Sequence, residues 1–100
     1  MMSAYVIFDI TVKDPEKYEE YKKQTMPTIA AFGGRFIVRG GQMEVLEGNW
    51  QPNRIVILEF ESIAKAKAWL NSPEYSEVKK IRHSTAVSNA IVVEGFAEPL

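Results

Sequence analysis

Apolar side chains recur along this chain at two spacings, and the elements change where the spacing changes. Tyr5–Val12 is crowded with β-branched and aromatic residues, the composition of a strand. Asp14-Pro15-Glu16 then reads as a helix start, with Asp14 as N-cap, Pro15 in the first turn and Glu16 favoured near the positive helix end. Tyr18, Tyr21, Thr25, Ile29 and Phe32 fall on one helical stripe. Pro27 lacks an N–H and clashes one turn back, so a kink or a restart is expected there. Gly33-Gly34 ends the helix, Gly33 being suited to a left-handed cap.

Arg35–Arg39 reads as a second strand, stopped by Gly40-Gly41, and Glu44–Glu47 as a short hairpin arm. Arg54–Phe60 is the clearest strand. Ser62 caps a helix to about Asn71, and Ser72-Pro73-Glu74 repeats the cap-then-proline signal to open another through about His83. Asn89–Gly95 is the last strand. The order β-α-β-β-α-β, with its second helix split in two, is the ferredoxin-like pattern of an α+β fold with an antiparallel sheet. Its central pair, the first and third strands, is expected to run parallel, with the fourth strand beside the first and the second beside the third.

Alternation sorts the strand residues onto two faces. Val6, Phe8, Ile10, Phe36, Val38, Val56, Leu58, Phe60, Ile91 and Val93 are expected under the helices. Tyr5, Ile7, Asp9, Arg35, Ile37, Arg39, Ile55, Ile57, Glu59, Val92 and Glu94 are expected on the other face. That second face is too apolar for water, and no helix remains to cover it. A homodimer through the sheet face is the simplest cover, in two-fold symmetry.

Bulk properties narrow the function. A chain of 100 residues, 46% hydrophobic and 25% charged, reads as a single globular domain spanning 1–100. A net charge of −1 and scattered basic residues give no footprint for nucleic acid. There is no cysteine, hence no disulfide, thiolate chemistry or cysteine-based metal site. The N-terminal residues show no leader pattern, and no apolar run is long enough to span a bilayer, so no membrane partner and a cytoplasmic location are expected.

Candidate chemistry lies mostly on the second face. Asp9 and Glu59, read at the same end of two parallel strands, are expected to cluster with Arg35, with Arg39 and Glu94 at the opposite end. Two close carboxylates raise one pKa and make Asp9 or Glu59 a candidate general base, unless Arg35 or a partner's cation neutralises them. Arg82 shares a helical stripe with Tyr75 and Val78. It either holds a ligand carboxylate or phosphate, pairs with Glu94 or Glu59, or snorkels to water. His83, the only histidine, suits the negative helix end, with haem ligation or acid–base work as the other readings. Alone it builds no zinc site, and we expect neither metal nor cofactor. Trp50 and Arg54 flank a proline-containing loop, where the tryptophan packs on a dimer partner or stacks on a ligand. Tyr18 and Tyr21 read as ordinary half-buried residues, and Trp69 as packing at a helix edge.

Several stretches together resemble a bacterial family, domain of unknown function 1330. They include Phe32-Gly33-Gly34-Arg35, Val38-Arg39-Gly40-Gly41, Leu46-Glu47-Gly48-Asn49-Trp50 with Pro52 and Arg54, Glu59-Phe60, Ala68-Trp69, Ser72-Pro73-Glu74-Tyr75, Arg82 and Val93-Glu94-Gly95. The resemblance implies a dimeric α+β barrel, in which two ferredoxin-like sheets pair face to face. It marks Arg39, Trp50, Arg54, Tyr75 and Arg82 as ligand-binding candidates, and supplies no reaction. Two readings of function follow. One is a homodimer that binds a small aromatic or anionic molecule, as a cofactor-independent enzyme. The other is a non-catalytic ligand-sensing or protein-interaction module. An RNA-binding module would need stacking aromatics on the free sheet face, where Tyr5 stands alone.

Overall fold

The computed structural model describes residues 3–96. Its elements are β1 (Ala4–Val12), α1 (Pro15–Ala31), β2 (Arg35–Arg39), β3 (Ile55–Phe60), α2 (Ile63–Leu70), α3 (Pro73–Thr85) and β4 (Ala86–Glu94). The strands lie in the order β2-β3-β1-β4. Local signals act where expected. Asp14, Ser62 and Ser72 each accept a hydrogen bond from a main-chain N–H three residues on, at 3.3, 3.1 and 3.1 Å. Gly33 takes φ 75°, and the N–H groups of Gly33 and Gly34 donate to the carbonyls of Ala30 and Ile29, closing α1. The helix runs unbroken through Pro27, against the expected restart. The hydroxyls of Thr25 and Thr28, on either side of the proline, donate to main-chain carbonyls within the same helix.

Three expectations are overturned by strand direction and phase. β1 and β3 are antiparallel, with Tyr5 opposite Glu59 and Asp9 opposite Ile55. Asp9 and Glu59 therefore sit at opposite ends of the sheet and form no carboxylate pair. Arg39, opposite Val56, belongs to the Asp9 end, and Glu94, opposite Ala4, to the Glu59 end. Directly opposed residues in an antiparallel pair share a face. Since Val6 faces Val92 and Ile7 faces Ile91, it is Ile91 and Val93 that lie on the free face of β4, and Val92 on the helix side. Finally, the β2–β3 register shifts between Phe36 and Val38, a bulge that places Val38 opposite Ile57 and Arg39 opposite Val56. Arg39 thereby moves to the helix side and Val38 leaves it.

The helix side is closed around Trp69, which is fully buried rather than at a helix edge. Its ring lies 4.2 Å from Tyr75, 5.5 Å from Phe60 and 6.4 Å from Phe8, centroid to centroid. Its indole N–H donates to Thr28 Oγ1 at 3.0 Å, so the one polar atom of the ring is satisfied. The opposite face carries no helix and leaves Val87 and Ile91 each 61% exposed. Residues 40–54 form a long connection, and the expected hairpin at Glu44–Glu47 is not a strand. Among the described residues, no helix is long and apolar enough to cross a membrane.

Candidate functional site

The bulge and the end of β3 bring two arginines to one place. Ile10 N–H donates to the Arg54 carbonyl at 2.8 Å, which extends the β1–β3 ladder by one residue and points Arg54 to the helix side with Ile10. Gly40, at φ 65°, passes so close that a Cβ there would overlap the Arg54 guanidinium. Arg54 is thus held against Tyr18, its Cζ 5.9 Å from the ring centroid, while Arg39 lies 4.5 Å over the ring of Phe36. Both arginines line a cavity of about 20 Å³ between the sheet and α1, roughly the room one water's centre occupies. Phe8, Ile10 and Val56 form its floor; Tyr18, Tyr21 and Thr25 form its helical wall. Arg39 and Phe36 stand together on the edge strand at its rim.

No carboxylate pairs with Arg39 or Arg54 among the described ion pairs, whereas Lys22, also at the rim, pairs with Glu19 at 3.0 Å. Arg54 Nε is buried without a hydrogen-bond partner. The rim is therefore electropositive over an apolar, tyrosine-walled interior, the arrangement that concentrates anions. Burial pushes the Tyr18 phenol up from its ordinary value and neighbouring Tyr21 adds to this, against the opposing charge of Arg54. Burial, then Tyr75, push Tyr21 up as well. Both phenols are neutral hydrogen-bond donors around neutral pH. The Tyr21 and Tyr75 hydroxyls share a hydrogen bond of 2.6 Å.

The other residues singled out in the sequence disperse. Tyr75 and Arg82 are buried behind the tyrosine wall and do not line the cavity. Arg82 makes no ion pair with Glu94 or Glu59. Its Nη1 donates to Ser88 at 2.7 Å, its Cζ lies 4.9 Å over Phe8, and its Nη2 is 3.4 Å from His83 Nε2. Glu59 accepts from Arg35 at 2.7 Å and from Tyr5 at 3.2 Å on the free face. Those contacts, Arg35 foremost, hold its carboxyl below the usual value. Asp9 also lies on the free face, accepting from the Trp50 indole at 2.8 Å and from Asn53 N–H at 3.3 Å. It is an anchor for the long loop. The sequence placed Tyr18, Tyr21 and Thr25 on the inward stripe, where the tyrosines read as ordinary half-buried residues and not as site residues, and Lys22 was not singled out. Their signal was two phenols three residues apart on the inward stripe, unusual polarity for a core face.

Strand order and antiparallel pairing define a ferredoxin-like α+β fold, with a cavity under its first helix. The family model "Domain of unknown function (DUF1330)" matches residues 3–96, and the chain belongs to that family. A crystal structure of a protein of unknown function from Rhodopseudomonas palustris superposes with a TM-score of 0.77 at 20% identity, covering 96% of this chain and 84% of that one. SnoaB, a cofactor-independent oxygenase from Streptomyces nogalater, superposes with a TM-score of 0.61 at 14% identity, over 99% and 95% of the two chains. A dimeric protein of unknown function with a ferredoxin-like fold, from Bacteroides fragilis, gives 0.55 at 21% identity, over 93% and 95%. No curated protein matches the chain.

Proposed function

We propose that this protein is a homodimer that binds a small aromatic anion between its sheet and α1, and acts on it without a bound cofactor. The observation that carries the reading is the Arg39–Arg54 pair, which has no acidic partner among the described residues and stands at the mouth of a tyrosine-walled apolar cavity. Arg54, fixed by Gly40 and Tyr18, takes the carboxylate, phenolate or enolate oxygen; Arg39 and Phe36 move aside to admit the ring and close over it. Tyr18, a neutral donor, faces the same oxygen. A guanidinium and a phenol together favour the deprotonated form of a bound phenol or enol, the form in which an aromatic ring is most readily attacked by an electrophile. The likeness to a cofactor-independent oxygenase supports such chemistry. The exposed apolar face of the sheet and the dimeric structural neighbour support pairing of two copies through that face.

A thermal-shift titration with aromatic carboxylates and polyphenols tests the site. Ligands that raise the melting temperature of the wild type are expected to leave Arg54→Ala unshifted and Arg82→Met fully responsive. The reverse pattern overturns the assignment. Binding with no turnover of any such ligand in air favours the sensing module over the enzyme. Sedimentation as a monomer at micromolar concentration overturns the dimer.

A further inference from the structure

Two apolar surfaces of this chain fit neither the core nor the cavity under α1. The first is a groove of about 330 Å³ on the helix side of the edge strand β4, where Ala90 and Val92 are exposed and Leu70 half-buried beside α2, over buried Val6 and with Lys67 at the rim. The second is the long connection between β2 and β3. It is exposed from Gly41 to Gln51 and carries Met43 and, between Glu44 and Glu47, Val45 and Leu46, the last 90% exposed. Both its ends are tied down, Gly40 N–H donating to the Ile55 carbonyl at 2.9 Å and Trp50 and Asn53 donating to Asp9, and the stretch between them projects from the sheet.

We propose that the connection is an exchange arm, and that Val45 and Leu46 of one protomer seat in the α2–β4 groove of the other. This rests on the sheet-face dimer proposed above. Three observations select a second copy as the occupant. Charge is complementary, since the arm presents Glu44 and Glu47 to a rim carrying Lys67. The groove is continuous with the free face, because Ala90 and Ile91 line both it and the hollow where Trp50 rests on the sheet. Length suffices to cross between paired sheets: four residues separate Leu46 from the anchored Trp50, a reach of about 14 Å at ~3.5 Å per residue, against the ~10 Å between packed sheets. A two-fold axis between the sheets repeats the contact, so both arms and both grooves are used and no open-ended chain of copies results. The arm also leaves β2 directly after Arg39, so its seating on the partner is coupled to the movement of the cavity rim.

The absence of native cysteine makes the test direct. Affinity-tagged full-length Leu46→Cys is mixed with untagged Ala90→Cys, and disulfide formation is followed under mild oxidation. Glu77→Cys, exposed on α3, serves as the control partner. Docking raises the local thiol concentration, so the Leu46–Ala90 pair is expected to cross-link at least about tenfold faster than the Leu46–Glu77 pair. Equal rates, with the wild type sedimenting as a dimer, overturn the arm and leave the sheet-face dimer standing. A monomeric wild type overturns both. Lys67→Glu is expected to slow the cross-link, and Glu44→Lys in the tagged chain to restore it; failure of this rescue removes the charge argument.

Discussion

Arg54 and Arg82 occupy similar chemical settings, and the proposed binding site takes only one of them. Each guanidinium lies over an aromatic ring, and among the described residues each has a buried Nε with no hydrogen-bond partner and neither pairs with a carboxylate. Arg82 is 5% exposed, with Ser88 as its acceptor, and it does not line the cavity under α1. Arg54 is half-buried and lines a void at the end of a strand. An uncompensated buried cation is a candidate for binding only where space adjoins it. Arg82 is instead occupied by the Phe8 ring, the Ser88 hydroxyl and the His83 imidazole, and reads as part of the packing.

The comparison breaks if the two arginines respond alike to truncation. Arg82→Ala empties volume beneath Phe8 and is expected to cost about 2–4 kcal/mol in denaturant unfolding, with ligand response retained once folded. Arg82→Met keeps the volume and removes the buried charge, so it is expected to stay within about 1.5 kcal/mol of wild type. Tyr21→Phe sharpens the same boundary from the wall between them. It removes the 2.6 Å bond to Tyr75 and strands a buried hydroxyl, for a loss of about 1–2 kcal/mol.

On the Arg54 side, Gly40→Ala perturbs the site without changing any charge. The positive φ and the overlap with the guanidinium are expected to cost about 1 kcal/mol and to weaken anion binding. Arg54→Ala itself is expected to change stability by ~1 kcal/mol or less, and anion affinity by about tenfold or more, the value of a charge-assisted hydrogen bond. Isothermal titration of the two variants with the same aromatic carboxylate orders them.

Much of the fold was legible because it is written in local signals. Asp14, Ser62 and Ser72 are caps whose bonds span three residues, and Gly33 ends α1 through its own φ. The apolar alternation of β1 and β3 gave the core face correctly. What failed depends on relations between distant segments. Strand direction placed Asp9 and Glu59 together when they are at opposite ends, because no single strand carries its orientation. The bulge at Ile37 inverted Val38 and Arg39, since one inserted residue flips every later side chain and leaves no mark in composition. β4 slipped in phase for a related reason: Ala90–Val93 is apolar on both sides and fixes no face by itself. The site suffered most. Arg39 reached the cavity through the bulge, and Tyr18 and Tyr21 passed for packing because hydroxyl partners are visible only in three dimensions.

The smallest expected effect concerns His83, whose ring meets Arg82 from the exposed side. Burial, and then the charges of Arg82 and Lys79, lower its pKa from the ordinary 6.5. At 3.4 Å from Arg82 Nη2, its Nε2 accepts when neutral, and a proton there would face the guanidinium. The folded chain therefore binds this proton less readily than the unfolded chain. Stability is highest above pH 6.5, falls as pH drops from there toward the folded-state pKa, and levels off below it as far as this group is concerned. Because the ring is largely exposed, solvent screens the effect and the slope is shallow. Melting temperatures across this window are expected to fall less for His83→Gln than for the wild type. A steeper fall in the variant would mean that the imidazole carries its proton into the fold, and that the Arg82 side of the wall is wetter than its packing implies.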